Sequence, residues 1–274
     1  MVSQRNEHAT LADEPGLTPF FEPTELFERA NLEREGFLNA HPFPHVVIDD
    51  FLPRGVADRL LKDYPPPENF NLESTTAEPR RKGKLRSTNE ADFTPYMRYV
   101  LQQFSSPLFI RFLEKLSGIE ALMPDSDLWG ALRHFGRGGR LGIHADFNFH
   151  GGLQMYRRLN LILYLNKEWK PSYRGDLELW DARVTRCQKR IAPLFNRALI
   201  FTATDKCYHG FPSPLRCPMG ITRKSIQFYY YTAQPPLGEI AAHHGTEFRW
   251  RPQDICNPER WLMTFRTLAT RLRR

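Results

Sequence analysis

The stretch Arg158-Leu159-Asn160-Leu161-Ile162-Leu163-Tyr164-Leu165 decides the fold. Residues two apart in a strand share a face, so Leu159, Leu161, Leu163 and Leu165 fall on one side. Asn160, Ile162 and Tyr164 fall on the other. The leucine side asks for a core, while the mixed side sets polar handles into a cavity or against a cover. Working outward, β-like runs at 127–135, 140–144, 176–180, 186–193, 197–202, 209–211 and 224–232 alternate with Gly, Asn, Asp and Pro turns. Short strands at this spacing predict an antiparallel sandwich or barrel. Upstream, 45–49 reads as a strand and 56–63 as a helix. Across 95–118, Met97, Val100, Leu101, Phe104, Leu108, Phe112, Leu113 and Leu116 recur at helical spacing. Residues 24–35 form a short amphipathic piece, with Thr24 as cap and Leu26, Phe27, Ala30 and Leu32 as contacts. Segment 80–86 reads as a basic loop and 258–274 as an arginine-rich helix. With no internal repeat and no second core, the chain divides into an acidic arm (1–40), one main domain (41–235) and a basic helical extension (236–274).

Composition bounds the function. The chain has 274 residues, 41% hydrophobic and 25% charged, which excludes wholesale disorder, collagen-like repeats and a disulfide-dense miniprotein. The formal net charge is +7, with a sequence pI of about 9.3. Residues 1–35 hold eight acidic side chains against three basic ones, so the surplus lies further along. Such a surplus attracts anions or simply keeps the protein soluble. No apolar run approaches the roughly 20 residues needed to span a bilayer. The polar start lacks the apolar stretch of a signal peptide. Cys187, Cys207, Cys217 and Cys256 show no CxxC pairing and read as reduced thiols in a cytoplasmic protein.

Chemistry concentrates in Gly142-Ile143-His144-Ala145-Asp146-Phe147. His144 and Asp146 share a strand face and can reach one point. A third ligand must come from a distant strand. His209, before a Gly-Phe-Pro turn, supplies it, and His150 competes for that role but lies too near the first pair. Two imidazoles and one carboxylate with open positions form the facial triad of non-haem Fe(II) oxygenases. Downstream, Gly220-Ile221-Thr222-Arg223-Lys224-Ser225-Ile226 leads into the aromatic strand Gln227-Phe228-Tyr229-Tyr230-Tyr231. An arginine at such a strand start can fork a carboxylate. Alternation sends Lys224 the opposite way, so one of the two enters the pocket. Ser225 and Tyr164 can add hydroxyl donors, or can equally serve packing. Arg137, Arg140, Arg157 and Arg158 flank the metal segment, either as a clamp for an anionic substrate or as a solvated rim.

These residues resemble the Fe(II)- and 2-oxoglutarate-dependent dioxygenases, and within them the prolyl 4-hydroxylase-like branch. The HxD…H…R order is matched by His144, Asp146, His209 and Arg223. Tyr164-Leu165-Asn166-Lys167-Glu168-Trp169 and Gly175-Asp176-Leu177-Glu178-Leu179 resemble the YLN-x-x-W and GG-x-L segments of hypoxia-sensing prolyl hydroxylases. Asp176 stands where a second Gly is usual, which touches turn geometry. Pro42-Phe43-Pro44-His45-Val46-Val47-Ile48-Asp49-Asp50-Phe51-Leu52 resembles the branch's entry strand. The likeness spans roughly residues 42–232.

The resemblance implies a mainly β fold with flanking helices (α+β), a double-stranded β-helix of jelly-roll or cupin-like kind. It implies His144, Asp146 and His209 as iron ligands and Arg223 as partner of the distal 2-oxoglutarate carboxylate. Tyr164 and Ser225 are the implied helpers, and His134 stands where relatives often place a tyrosine that contacts the co-substrate. Fe(II), 2-oxoglutarate and O2 are the implied cofactors, with ascorbate a candidate reductant. An intact Asp146 argues for hydroxylation over halogenation, which needs a small residue there. The implied reaction is hydroxylation of an unactivated C–H bond, with a prolyl residue in a peptide or protein as the family-level substrate. A free amino acid, a saccharide or a secondary metabolite stands beside it. A non-catalytic barrel binding module and a nucleic-acid demethylase are the other classes. Nucleic acid is not the expected partner, while the Arg-rich tail leaves a membrane surface open.

Overall fold

The computed structural model describes residues 19–256, apart from 73–77, 79, 88–90, 92, 126–130 and 236–241, together with residue 258. Its strands are β1 (His45–Ile48), β2 (Asn71–Leu72), β3 (Arg81–Arg86), β4 (Met123–Pro124), β5 (Leu132–Ala145), β6 (Phe149–His150), β7 (Met155–Tyr164), β8 (Leu177–Trp180), β9 (Cys187–Ile191), β10 (Arg197–Thr202), β11 (His209–Phe211), β12 (Arg223–Thr232) and β13 (Glu247–Phe248). The pairing path runs β1-β10-β7-β12-β5-β11-β8-β9. Every pairing is antiparallel, and the long β5 joins two layers. Its first residues pair with β12 (Phe135 opposite Arg223), and its last pair with β11 (His144 opposite His209). The result is the expected double-stranded β-helix, a nearly closed barrel with helices on one face.

Strand alternation divides the apolar residues between two cores. Leu159, Leu161, Leu163, Ala198, Ile200, Ile226 and Phe228 face helices α1 (Pro23–Leu38), α2 (Arg54–Lys62), α3 (Pro95–Gln103) and α4 (Pro107–Ser117). Ile162, Tyr164, Leu199, Phe201, Phe135 and Phe211 fill the barrel interior. No helix among the described residues is long and apolar enough to cross a membrane.

The helices depart from the sequence expectation in detail. Residues 95–118 form two helices rather than one. Pro107 has no N–H to donate and is suited to a first turn, and the Ser106 hydroxyl accepts from Phe109 N at 3.3 Å. Thr94 caps α3 in the same way, accepting from Met97 N at 3.1 Å. Thr24 is not the cap of α1, because the helix already starts at Pro23 with Glu22 before it. Leu26, Ala30 and Phe37 of that helix are buried, whereas Leu32 is 80% exposed. The runs 127–135 and 140–144 belong to the single strand β5 where they are described. Segment 80–86 is strand rather than loop from Arg81 on, since it pairs with β5. Apart from residue 258, the expected C-terminal helix lies outside the described residues, as does the acidic arm up to residue 18.

The turn before β8 has two consecutive residues with positive φ, Arg174 (62°) and Gly175 (88°). A Cβ on Gly175 would lie 2.5 Å from Leu215 Cδ2 and 3.2 Å from Arg223 Cδ, so that position admits only glycine. Arg174, with ψ −158°, sits in a region that glycine alone occupies freely. Arg174→Gly is therefore expected to stabilise the fold by about 1 kcal/mol. Thermal denaturation checks this as a rise in Tm, and an unchanged or lower Tm refutes it.

Candidate active site

The end of β5 and the start of β11 are adjacent, which brings residues 65 positions apart in sequence to one point. This closeness needs Gly210. A Cβ there would lie 2.5 Å from the Gly142 carbonyl oxygen. His144 Nε2 stands 3.5 Å from Asp146 Oδ1, and His209 Nε2 stands 3.6 Å from Asp146 Oδ2. One ligand atom from each of the three lies within 4.8 Å of the others, so the trio could hold a metal ion. His150 is not among them; it lines the neighbouring cavity.

Backbone carbonyls settle which ring nitrogens face that point. His144 Nδ1 donates to Gly142 O and His209 Nδ1 donates to Cys207 O, both at 2.9 Å. A carbonyl only accepts, so each Nδ1 bears a proton and each Nε2 is the atom turned towards the shared point. Burial and the neighbouring His144 pull His209 down to about 4, which keeps it neutral throughout the ordinary pH range.

Asp146 is oriented by two side chains that the sequence reading did not place. Asn160 Nδ2 donates to its Oδ2 at 2.8 Å, and Arg157 Nη2 lies 3.1 Å from the same oxygen. Arg157 Nε donates to Asn160 Oδ1 at 2.8 Å, closing a triangle. Oδ1 faces His144, whose Nε2 lies 3.5 Å away. Burial pushes the Asp146 carboxyl up, but Arg157 and the two histidines prevail and hold it well below the usual range. The site thus presents an ionised carboxylate and two imidazoles, the donor set that suits Fe(II).

Arg157 is a buried partner of the metal carboxylate, not a solvated rim residue. Simple alternation puts it on the leucine face, which is why the sequence reading went astray. In the ladder with β12, Leu159 lies opposite Tyr230 and Arg157 opposite Tyr231, leaving Arg158 as an extra residue. This bulge shifts the phase of the strand and turns Arg157 inward. Asn160 was legible as inward-facing, but its partner was not. The sequence reading also missed β13, which pairs with β5 and sets Phe248 against the His144 ring at 5.1 Å.

Arg223 opens the neighbouring strand and is 2% exposed. Its Nε donates to Gly175 O at 2.9 Å and its Nη2 to Tyr164 Oη at 3.4 Å. Its charge lies over the rings of Phe211 and Tyr164, at 4.3 and 4.9 Å. No carboxylate among the described residues makes an ion pair with it. A buried guanidinium without a counter-charge is costly, so it fits a site for an incoming anion. Burial pulls its pKa down, with Tyr164 opposing. His144, Asp146, His209 and Arg223 all line one inner chamber, whose apolar walls include Leu177, Phe201 and Phe211. Lys224 lies on the other side of its strand, and its backbone is held by Asn166.

Two expected helpers lie differently. Ser225 is fully buried, and its hydroxyl has no hydrogen-bond partner among the described residues. His134 faces away from the chamber that Phe135 lines. It is held by Thr222 Oγ1 at 2.7 Å and by Pro65 O at 3.0 Å, under the rings of Tyr64 and Phe70. Burial pulls His134 down from 6.5 to about 4. The unfolded chain therefore binds the proton first as pH falls. Stability is full above about pH 6.5 and declines towards pH 4, by about 3 kcal/mol in total. Denaturant titrations at pH 7 and pH 4.5 should show a loss that shrinks in His134→Gln. An equal loss in both proteins would refute this origin.

Comparison with known proteins agrees with this geometry. Residues 130–231 match the model of the 2OG-Fe(II) oxygenase superfamily. No curated protein sequence gives a significant match. Among solved structures, a prolyl hydroxylase from Trichoplax adhaerens, in complex with a hypoxia inducible factor peptide fragment, aligns with TM-score 0.55 and 18% identity. That alignment covers 76% of this chain and 91% of that one. Prolyl 4-hydroxylases from Phytophthora capsici align with TM-score 0.53 and 18% identity, covering 91% and 77% respectively. A Pseudomonas putida prolyl-4-hydroxylase aligns with TM-score 0.50 and 14% identity, covering 76% and 98%. These likenesses show a shared fold. The matched segment, less than half of the chain, resembles the 2OG-Fe(II) oxygenase superfamily and contains His144, Asp146 and His209, the three residues that could hold a metal ion. This match and this site support Fe(II), 2-oxoglutarate and O2 as cofactors.

Proposed function

We propose that this protein hydroxylates an unactivated C–H bond, with release of succinate and CO2 from 2-oxoglutarate. One observation carries the reading: a two-histidine and carboxylate cluster shares a chamber with a buried arginine that has no ion-pair partner among the described residues. His144 and His209 would hold the metal through Nε2, and Asp146 through Oδ1, the oxygen that Asn160 and Arg157 leave to them. Fe(II) bound there with 2-oxoglutarate and O2 supplies an oxidant able to take hydrogen from such a bond. Arg223, helped by the Tyr164 hydroxyl, would bind and orient the distal carboxylate. Leu177, Phe201 and Phe211 would keep water from the reacting centre.

The fold neighbours support a prolyl residue of a peptide as the group hydroxylated, since one of them was solved with such a peptide. A small molecule is the second reading. It is favoured by the cavity beside the chamber, about 360 Å³ in volume and strongly basic. Anaerobic crystals grown with Mn(II) and 2-oxoglutarate test the common chemistry. The metal is expected on His144, Asp146 and His209 with a carboxylate at Arg223, and His144→Ala is expected to abolish metal-dependent succinate formation. Metal bound by other residues overturns the assignment.

A further inference from the structure

Residues 242–249 run as a strap along the end of β5, beside the metal ligands, and are fixed at two ends. At the far end β13 pairs with β5, Phe248 opposite His144, and Arg249 N donates to Ile143 O at 2.8 Å. At the near end Asn148 Nδ2 donates to Ala242 O at 3.1 Å and His244 N donates to Asn148 Oδ1 at 3.0 Å. There the His243 ring also stacks on Phe149 at 3.7 Å. Gly245 and Thr246 lie between the two anchors. Thr246 lines both the 360 Å³ cavity and the inner chamber of the metal ligands, so this short span stands where the two spaces meet.

The near anchor depends on charge. His244 Nε2 lies 2.7 Å from Asp205 Oδ1, and its Nδ1 lies 2.7 Å from Gly245 O. A carboxylate and a carbonyl both accept, so the two bonds together require a proton on each nitrogen, the imidazolium form. The loop between β10 and β11 faces His244 with the Asp205 carboxylate, and the start of β13 with that of Glu247. The turn between β5 and β6 brings the neutral Asn148 amide, which also donates to Asp205 Oδ1 at 3.3 Å. Burial pulls the His244 pKa down, but the Gly245 carbonyl and the Asp205 carboxylate prevail and raise it above its ordinary 6.5. When one proton leaves, Nε2 keeps its own, because a hydrogen bond to a charged acceptor is the stronger. Nδ1 then turns a lone pair to the Gly245 carbonyl, and the peptide that joins Gly245 to Thr246 loses its hold.

We propose that Gly245 and Thr246 form a proton-operated gate on the way from the outer cavity to the metal, clamped by doubly protonated His244 and freed when that ring is neutral. This deepens the dioxygenase reading and rests on it. A histidine whose pKa is raised in the folded protein holds its bonds fully below its ordinary value and loses them as pH rises through the raised one. The gate is therefore clamped below about pH 6.5 and opens to the primary substrate as pH rises above it. β13 stays in place throughout, since its ladder consists of backbone bonds that do not titrate. The movement is confined to the near half of the strap.

Hydrogen exchange read by mass spectrometry on the Mn(II)- and 2-oxoglutarate-loaded protein at pH 6.0 and 8.5, corrected for intrinsic amide rates, tests the gate. In the wild type, protection of residues 243–246 is expected to fall about 10-fold or more between the two pH values, while the Arg249 amide keeps its protection. His244→Gln should show the low protection at both pH values, and Asp205→Asn should move the fall to lower pH. Lys206→Gln, on the same loop, should leave the profile unchanged. The passage itself is read from the rate at which excess EDTA strips Mn(II). His244→Gln is expected to release the metal several-fold faster than the wild type at pH 6.0 and at the same rate at pH 8.5. Taking the ratio of the two proteins cancels the pH dependence of the chelator and of the metal ligands. Equal wild-type protection at both pH values overturns the proposal, as does a fall in His244→Gln that matches the wild type. A release ratio that is the same at both pH values also overturns it, by leaving the strap outside the passage. A wild type that binds neither Mn(II) nor 2-oxoglutarate overturns the dioxygenase reading and the gate with it, whereas the other failures leave that reading standing.

Discussion

Arg223→Leu is expected to weaken 2-oxoglutarate binding by about 100-fold or more while leaving Mn(II) affinity intact. Removing one partner of a buried, hydrogen-bonded charge pair costs roughly 2–5 kcal/mol, and each 1.4 kcal/mol is a factor of ten. The guanidinium touches no metal ligand; it holds Gly175 O and Tyr164 Oη. The loss should therefore be confined to the co-substrate. Stability gives an independent readout. A buried charge without a counter-ion burdens the fold, so the leucine variant should be as stable as the wild type or more so without 2-oxoglutarate. In its presence the wild type alone should gain in Tm. Equal 2-oxoglutarate affinity in both proteins would remove Arg223 from the site.

The second large effect concerns Arg157→Leu. Partners that hold a metal ligand in place typically contribute 10- to 100-fold in metal affinity, and a loss of about that size is expected for Mn(II). Its pH dependence identifies the cause. In the native protein, burial raises the Asp146 carboxyl and Arg157 is the largest of the opposing influences. Without Arg157, burial is met only by the histidines, and the carboxyl moves up. Protons then compete with the metal, so Mn(II) affinity of the variant should fall more steeply than that of the wild type as pH drops from 8 to 6. Titrations at the two pH values check this. A variant whose loss is the same at both would show that Arg157 acts through packing on Tyr229, over which it sits at 3.9 Å.

The parts of the molecule that obey a strict period were readable from sequence. The leucines of β7 and their partners on β10 face the helices as alternation requires, and Asn160, Ile162 and Tyr164 face inward. His144 and Asp146 were legible through the same rule, and His209 through its place after β10. What resisted reading are the places where a strand gains a residue. Nothing in the run Tyr156-Arg157-Arg158 announces the bulge that turns Arg157 to the metal carboxylate. The inward turn of β13 was also beyond reach, since its two residues carry too little pattern to define a strand. His134 was placed by analogy with a tyrosine that relatives often have at that position, whereas the parity of β5 sends it to the opposite face from Phe135.

The carbonyls of Gly142 and Cys207 grip the two histidine rings from behind. These grips belong to the barrel wall itself and exist whether or not a metal is coordinated. Side chains that are already immobilised have little rotational freedom left to surrender when an ion arrives. The attraction between the ion and its ligands can therefore appear almost whole as affinity, instead of being consumed in ordering them. Metal exchange at such a place is a local event, and the barrel need not open to permit it.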